Sequence, residues 1–191
     1  MALELDPRTT ALVIIDLQLG IVARQTAPYD SAAVVARAAE LGRLFAAAGA
    51  TLALVHVGFT NADMPNQDVD EPMQMNPDAL PPQWTEFVPE IAALPAHFTV
   101  KKRNWGAFYG TDLDLQLRRR GIKKLVLAGI ATNIGVEMTA REAWQHNYSV
   151  VIAEDACATF SDEMHRFAME KIMPRIARVR STEAILSALP A

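Results

Sequence analysis

The stretch Leu125-Val-Leu-Ala-Gly-Ile-Ala-Thr-Asn-Ile-Gly-Val-Glu-Met-Thr-Ala-Arg-Glu-Ala143 decides the reading of this chain. Its first four residues, Leu125 to Ala128, form a continuous apolar run, the mark of a strand buried on both faces. The next five, Gly129 to Asn133, read as a turn, with Thr132 or Asn133 available as an N-cap. From Asn133 a 3.6-residue pattern begins that places Ile134, Val136, Met138, Ala140 and Ala143 on or near a buried side. Glu137, Arg141 and Glu142 are left for solvent. A helix that starts at the carboxyl end of a strand presents unpaired N–H groups and the positive end of a dipole. Both suit a carboxylate, a carbonyl oxygen or a developing oxyanion.

Working outward from it, similar strands and helices alternate along the chain. Thr10–Ile15 is an apolar, β-branched run that ends abruptly on Asp16. Ser31–Ala48 has a helical apolar face with Gly49 behind it, and Thr51–Val57 reads as the second strand. Phe98–Val100 is a short third strand. Thr111 is placed to cap the following helix, with Asp114 in a capping-box-like position and Gly121 as its stop. After the quoted stretch come a strand at Ser149–Ala153, a turn at Glu154–Cys157 and a helix from about Ser161 to Met173. A strand near Ile176–Val179 and a terminal helix at Thr182–Leu189 complete the pattern. This alternation predicts an α/β fold of three layers, α/β/α, around a doubly wound, mostly parallel six-stranded sheet of order 3-2-1-4-5-6. That order sets the ends of strands one and four side by side, so Asp16 and the 130–135 turn would line one crevice.

The stretch 59–95 differs in character. It holds seven of the chain's eleven prolines and three of its eight methionines, and no Lys or Arg occurs between Arg43 and Lys101. Asp63, Asp68, Asp70, Glu71, Asp78, Glu86 and Glu90 make it acidic. With Trp84, Phe87, Ile91 and Leu94 as apolar anchors, it reads as an ordered lid over one domain spanning residues 1–191. At 191 residues and 51% hydrophobic composition, one substantial core suffices.

Composition excludes several function classes. The formal net charge of −4 and the short basic runs Lys101–Arg103 and Arg118–Arg120 make no nucleic-acid footprint. No apolar run is long enough for a membrane span, and the N-terminal residues lack a leader pattern. A single cysteine, Cys157, allows no intrachain disulfide and fits a reducing compartment, so the expected location is the cytoplasm. His56, His97, His146 and His165 show no ligand spacing, and no metal or other cofactor is expected. Asp16 has two readings, an Asx turn closing the strand or an acid/base group at a ligand-binding edge.

With these segments assembled, the chain resembles the isochorismatase-like hydrolases, also called cysteine hydrolases, a Rossmann-like superfamily that includes nicotinamidases, carbamoylsarcosine amidases and isochorismatases. The likeness runs nearly end to end. Its carriers are ALVIIDLQ at Ala11–Gln18, KRNWGAF at Lys102–Phe108 with TDL at Thr111–Leu113, and GIATNIGVEMTAREA at Gly129–Ala143. The resemblance implies a catalytic aspartate after strand one, a lysine after strand three and a cysteine in the first turn after strand four, preceded by a non-proline cis peptide. The first two map to Asp16 and Lys102. The third maps to Gly135, which has no side chain and forms no thioester.

That replacement looks like the true isochorismatases, which need no thiol, and it leaves room for a substrate ring or a water. Cys157 reads as a small buried thiol rather than a substitute nucleophile. Lys102 is either a charge partner for Asp16 or a donor to the substrate, and Lys101 and Arg103 read as surface charges. Ile130, Ala131, Thr132, Ile134 and Gly135 are the candidate substrate-binding turn. Trp105 and Phe108, with Tyr109, form either an aromatic wall for a small planar ligand or packing beneath their loop.

The expected function is hydrolysis of a small molecule by Asp16 with water. A ligand-binding relative without turnover and an amidase with an unrecognised nucleophile are the alternatives. The resemblance also implies a homo-oligomer, dimer or higher, in which Met138, Trp144 and the lid methionines supply covered apolar patches. Isochorismate, a dianion, is expected to be a poor substrate, because the lid offers no cation and seven acids.

Overall fold

A computed structural model describes residues 3–190; residues 1, 2 and 191 of the span read as one domain lie outside the described residues. The six strands are β1 (Thr10–Ile15), β2 (Thr51–Val57), β3 (Phe98–Lys102), β4 (Lys124–Ile130), β5 (Ser149–Ala158) and β6 (Arg178–Arg180). They form one sheet of order β3-β2-β1-β4-β5-β6 in which every neighbouring pair is parallel, as the alternation of elements predicts. The helices are α1 (Leu19–Val22), α2 (Ser31–Ala47), α3 (Pro89–Ala92), α4 (Leu113–Arg119), α5 (Glu137–Gln145), α6 (Asp162–Phe167) and α7 (Thr182–Ser187).

The period of two along β1 divides the core. Leu12 and Ile14 point into one layer, with Val34, Leu41 and Phe45 of α2 and Ile185 of α7. Ala11, Val13 and Ile15 point into the other, with Leu113 and Leu117 of α4 and Val136, Ala140 and Ala143 around α5. Every residue of β1 is buried, which accounts for its lack of apolar/polar alternation. At the start of α2, Asp30 accepts a hydrogen bond from Ala33 N at 2.7 Å. A cap of this kind is worth about 1 kcal/mol.

Several boundaries differ from those read in the sequence. β5 does not stop at Ala153; Glu154–Cys157, read as a turn, continue the strand to Ala158 through a register shift. Leu127 pairs with Ile152 and Gly129 with Cys157, so Ala153 to Ala156 lie opposite the single residue Ala128. The acids in this bulge do not end the strand because their side chains have tertiary partners. The helix after Ser161 is regular only to Phe167; Ala168–Ile172 form a wide π-type turn and Met173–Arg175 a 3-10 turn. Strand β6 begins two residues later than read and ends one later, and β3 extends to Lys102.

In the 59–95 segment the chain forms three 3-10 turns, Asn61–Asp63, Pro77–Ala79 and Pro82–Thr85, followed by α3. Its second half is fastened to the sheet. Leu19 N donates to Glu86 O at 2.8 Å and Val88 N to Leu17 O at 3.1 Å. Ile91 and Leu94 are buried against α2, and a side-chain carbon at Gly20 would overlap the Trp84 ring. Among the described residues, no helix is long and apolar enough to cross a membrane.

Candidate active site

Strands β1 and β4 meet closely at their carboxyl ends. Gly129, with φ 133°, pairs with Ile15, and a Cβ at Gly129 would lie 2.0 Å from Ile15 O. Only glycine permits that approach. One residue further along β1, Asp16 adopts φ 55°, a left-handed conformation that aspartate tolerates better than most residues. Its N–H still donates to Val55 O at 2.8 Å, so the chain turns without leaving the sheet.

Lys102 stands two strands away, at the end of β3, where it pairs with Val57 of β2. Its side chain spans the end of β2 and brings Nζ to 2.8 Å from Asp16 Oδ2. Both residues are nearly closed off, Asp16 5% and Lys102 2% exposed. Lys102 Nζ also donates to Asn104 O at 3.1 Å and Trp105 O at 2.9 Å, folding the following loop around itself. Asp16 Oδ1 is buried and has no hydrogen-bond partner. Burial pushes the Asp16 carboxyl above its ordinary range, while the Lys102 charge pulls the other way. Desolvation is the larger effect here, because both carboxylate oxygens are out of water and only one is paired.

The 130–135 turn closes the crevice from β4. The Ile130–Ala131 peptide is cis, as the resemblance implies. Ile130, Ala131, Thr132 and Gly135 are buried and Ile134 is half-buried. Residues Thr132–Val136 form a π-type turn before α5, and neither Thr132 nor Asn133 caps it. Their side chains are engaged elsewhere, Thr132 Oγ1 with His165 Nδ1 at 2.8 Å and Asn133 Oδ1 with Thr159 Oγ1 at 2.6 Å. Ile134 N and Val136 N both donate to Ala131 O, so a donor to a ligand has to come from another N–H of the turn. Gly135 faces the ion pair. A Cβ there would lie 3.1 Å from Asp16 Oδ2 and 3.5 Å from Lys102 Nζ.

The aromatic residues divide. Phe108 is buried beneath its loop, its ring 5.1 Å from that of His146, so it takes the packing role. Trp105 is 50% exposed, and with Pro65, Tyr109, Met138 and Glu142 it lines a surface cavity of about 330 Å³. Met138, which fits the apolar side of its helix by spacing and is also a candidate for an exposed patch, is exposed, because the side of α5 that packs inward carries Thr139, Ala140 and Ala143. Arg103, read as a surface charge, pairs with Asp63 of the 59–95 segment at 3.2 Å.

The chain is similar to known proteins along nearly its whole length. The isochorismatase domain model matches residues 10–184. The chain belongs to the isochorismatase family. It is 50% identical over 189 residues to the isochorismatase family protein YecD of Escherichia coli O157:H7, covering 98% of this chain and all of that one. The solved structure of an isochorismatase family protein from Burkholderia thailandensis superimposes with a TM-score of 0.92 at 43% identity, covering 99% of both chains. More distantly, the chain is 28% identical over 212 residues to the ureidoacrylate amidohydrolase RutB of Acinetobacter baylyi, covering 97% of this chain and 86% of that one. The family is one of hydrolases with an α/β fold.

Three residues at the crevice escaped the sequence reading. Gln18, fully buried, accepts from Val57 N at 2.8 Å and donates to Val57 O and to Trp84 O, joining β1, β2 and the 59–95 segment. Its signal was a polar residue three positions past the end of the apolar strand, beyond Asp16 and Leu17. Glu154 and His165 were read as turn and helix residues, and only tertiary structure brings them behind Thr132. His56 and His97 are occupied by backbone, at Thr85 O and Leu52 N respectively. Among the described residues, no three His, Cys, Asp or Glu side chains cluster as a metal site requires.

Proposed function

We propose that this protein is a small-molecule hydrolase that works without a covalent enzyme intermediate, with Asp16 as its proton donor and acceptor. The observation that carries the proposal is Gly135. The position to which the resemblance assigns the family's nucleophile faces the Asp16–Lys102 pair and is a glycine here, so no thiol or hydroxyl from that residue attacks a substrate. Cys157 offers no substitute, since it is fully buried and burial pushes its thiol up.

Asp16 has the properties of a general acid. Burial favours its protonated form, and the unpaired Oδ1 is the atom free to hold a proton or accept one. Protonated Asp16 delivers its proton to the substrate, at the terminal carbon of an enol ether or the carbonyl oxygen of an amide or urea, and water adds to the carbon so activated, its proton returning to the Asp16 carboxylate. The same proton then passes to the departing oxygen or nitrogen of the tetrahedral intermediate as its bond to that carbon breaks, and the hydroxyl proton released as the product carbonyl forms restores protonated Asp16. Lys102 holds the carboxylate in place through Oδ2 and stabilises it once ionised. The 130–135 turn and Gly135 form the floor against which the substrate rests, and the 59–95 segment, fastened through Gln18 and Trp84, acts as the lid.

Lys102 is already engaged by one carboxylate and two carbonyls, and no Lys or Arg occurs from residue 44 to 100. A neutral or singly charged substrate fits this distribution better than a dianion. Exposed Trp105, Tyr109, Met138 and Trp144 lie on the α5 side of the molecule or its adjoining loop, and they supply the apolar surface of a homo-oligomer. The test of the catalytic reading is a panel of small amides, ureas and enol ethers assayed with wild type and Asp16→Asn. Turnover that survives thiol alkylation and is lost in Asp16→Asn supports it. Turnover that survives Asp16→Asn contradicts it.

A further inference from the structure

Behind the 130–135 turn lies a chain of side chains in the order carboxylate, imidazole, hydroxyl. Glu154 Oε1 is 3.0 Å from His165 Nε2, and His165 Nδ1 is 2.8 Å from Thr132 Oγ1. Thr132 is fully buried and His165 is 2% exposed. Three separate elements are joined in this way: the bulge of β5, helix α6, and the first residue of the turn that carries Gly135. We propose that Glu154 and His165 are positioning residues, which through Thr132 hold the turn that presents Gly135 to Asp16. This rests on the reading of the Asp16 crevice as the hydrolytic centre.

The direction of each hydrogen bond follows from the chemistry. Tyr29 OH donates to the Glu154 carboxylate, 3.1 Å from both oxygens, and hydrogen bonds from His165 and Tyr29 hold its carboxyl below the ordinary range. An ionised carboxylate accepts only, so His165 donates through Nε2–H. In the neutral ring Nδ1 then carries a lone pair, and it accepts the proton of the Thr132 hydroxyl. The tautomer of a buried imidazole is set by the group on its other nitrogen, so Glu154 determines what His165 offers to Thr132.

The far end of the chain is also anchored. Asp155, beside Glu154 in the bulge, accepts from Thr182 N at 2.7 Å at the start of α7 and pairs with Arg37 of α2 at 3.5 Å. Arg37 in turn lies over the Tyr29 ring, 4.9 Å from its centre. The bulge of β5 thereby has a purpose, since a regular strand would not place both acids where these partners meet them. Thr132 gives its hydroxyl to His165, and we assign this carboxylate–imidazole–hydroxyl set to geometry; a substrate-derived adduct on Thr132 is the outcome that would show nucleophilic attack instead. Placement matters in such a site because an error of about 1 Å in a reacting group costs about a hundredfold in rate.

The test uses the full-length protein and four variants: Thr132→Val, Thr132→Ser, His165→Phe and Glu154→Gln. Nitrogen-15 spectra of the ring of His165 are expected to show the Nε2–H tautomer with Nδ1 accepting. The Nδ1 signature should persist in Thr132→Ser and disappear in Thr132→Val. Amide exchange of residues 131–136 should accelerate about tenfold in Thr132→Val and His165→Phe, as for loss of one buried hydrogen bond, and remain near wild type in Thr132→Ser. On any substrate turned over, Thr132→Val, His165→Phe and Glu154→Gln should lower kcat about tenfold or more with KM within about twofold, and Thr132→Ser should restore it.

Unchanged turn amides in both Thr132→Val and His165→Phe overturn the proposal, as does a substrate-derived adduct on Thr132. Turnover that survives Asp16→Asn would refute the hydrolytic reading instead, while the ring and amide measurements still decide the positioning role. Should His165→Phe fail to fold, Thr132→Val against Thr132→Ser carries the comparison.

Discussion

Replacing Lys102 with methionine removes one half of a buried ion pair while keeping much of the side-chain volume. In the native structure Nζ lies 2.8 Å from Asp16 Oδ2, and both residues are almost fully enclosed. At that spacing and an effective dielectric constant near 20, the attraction is worth about 6 kcal/mol before desolvation. The variant leaves Asp16 buried without its cation and the carbonyls of Asn104 and Trp105 without a donor. Removing one partner of such a pair destabilises by about 3–5 kcal/mol, which for a chain of this size lowers Tm by about 10 °C. The loss depends on pH. Burial already raises the Asp16 carboxyl in the fold, and loss of Lys102 raises it further. A group whose folded pKa is raised contributes stability that is full below its unfolded value of about 3.9 and is lost as pH rises through the folded value. The deficit of Lys102→Met relative to wild type is therefore largest near neutral pH and shrinks on acidification, when Asp16 takes a proton. Urea unfolding followed by circular dichroism at about pH 5 and pH 7.5 measures both quantities. A deficit below about 1 kcal/mol at the higher pH, or one that grows on acidification, would show that Lys102 does not stabilise a buried Asp16 carboxylate in the fold.

Wild type should keep its activity after treatment with iodoacetamide, since Cys157 is enclosed and its thiol is pushed up, whereas Gly135→Cys should become sensitive to it. Intact mass measured after treatment of both proteins checks this. Gly135→Ala should lower kcat about tenfold or more, because its methyl group would stand 3.1 Å from Asp16 Oδ2 and has to displace it; steady-state kinetics on any substrate found decide it. Isochorismate should be turned over with kcat/KM below about 10⁴ M⁻¹s⁻¹, and a higher value would point to a cation reaching the crevice from outside the 59–95 segment. Light scattering should report a mass above that of one 20.9 kDa chain at micromolar concentration.

The fold was legible because its signals are local. The apolar run of β1, the switch of period at Asn133 and the alternation of strands and helices point to a parallel sheet, and the doubly wound order 3-2-1-4-5-6 expected for it is the one observed. The meeting of Asp16 with the 130–135 turn followed from that order, since β1 and β4 are neighbours, whereas Lys102, two strands away on β3, was placed by the resemblance to the family. What was not legible depends on partners distant in sequence. Glu154 and Asp155 look like turn residues until Tyr29, His165, Arg37 and Thr182 are placed around them, and those partners are what allow β5 to continue. Met138 fits the apolar stripe of α5 by spacing alone. It lies outside because the small residues of that helix, Ala140 and Ala143, take the side against the sheet. Thr132 looks like a cap, and His165 takes its hydroxyl instead.

In the proposed reaction Asp16 moves the proton and no bond forms between enzyme and substrate. Intact-mass spectrometry during turnover, run in parallel on wild type and Asp16→Asn with a substrate from the amide, urea and enol-ether panel, tests it most directly. The wild-type chain is expected to stay at its unmodified mass throughout turnover, and kcat to fall about a hundredfold or more in Asp16→Asn, the range of a lost general acid. A covalent adduct at steady state, or an Asp16→Asn variant with near wild-type kcat, would contradict it.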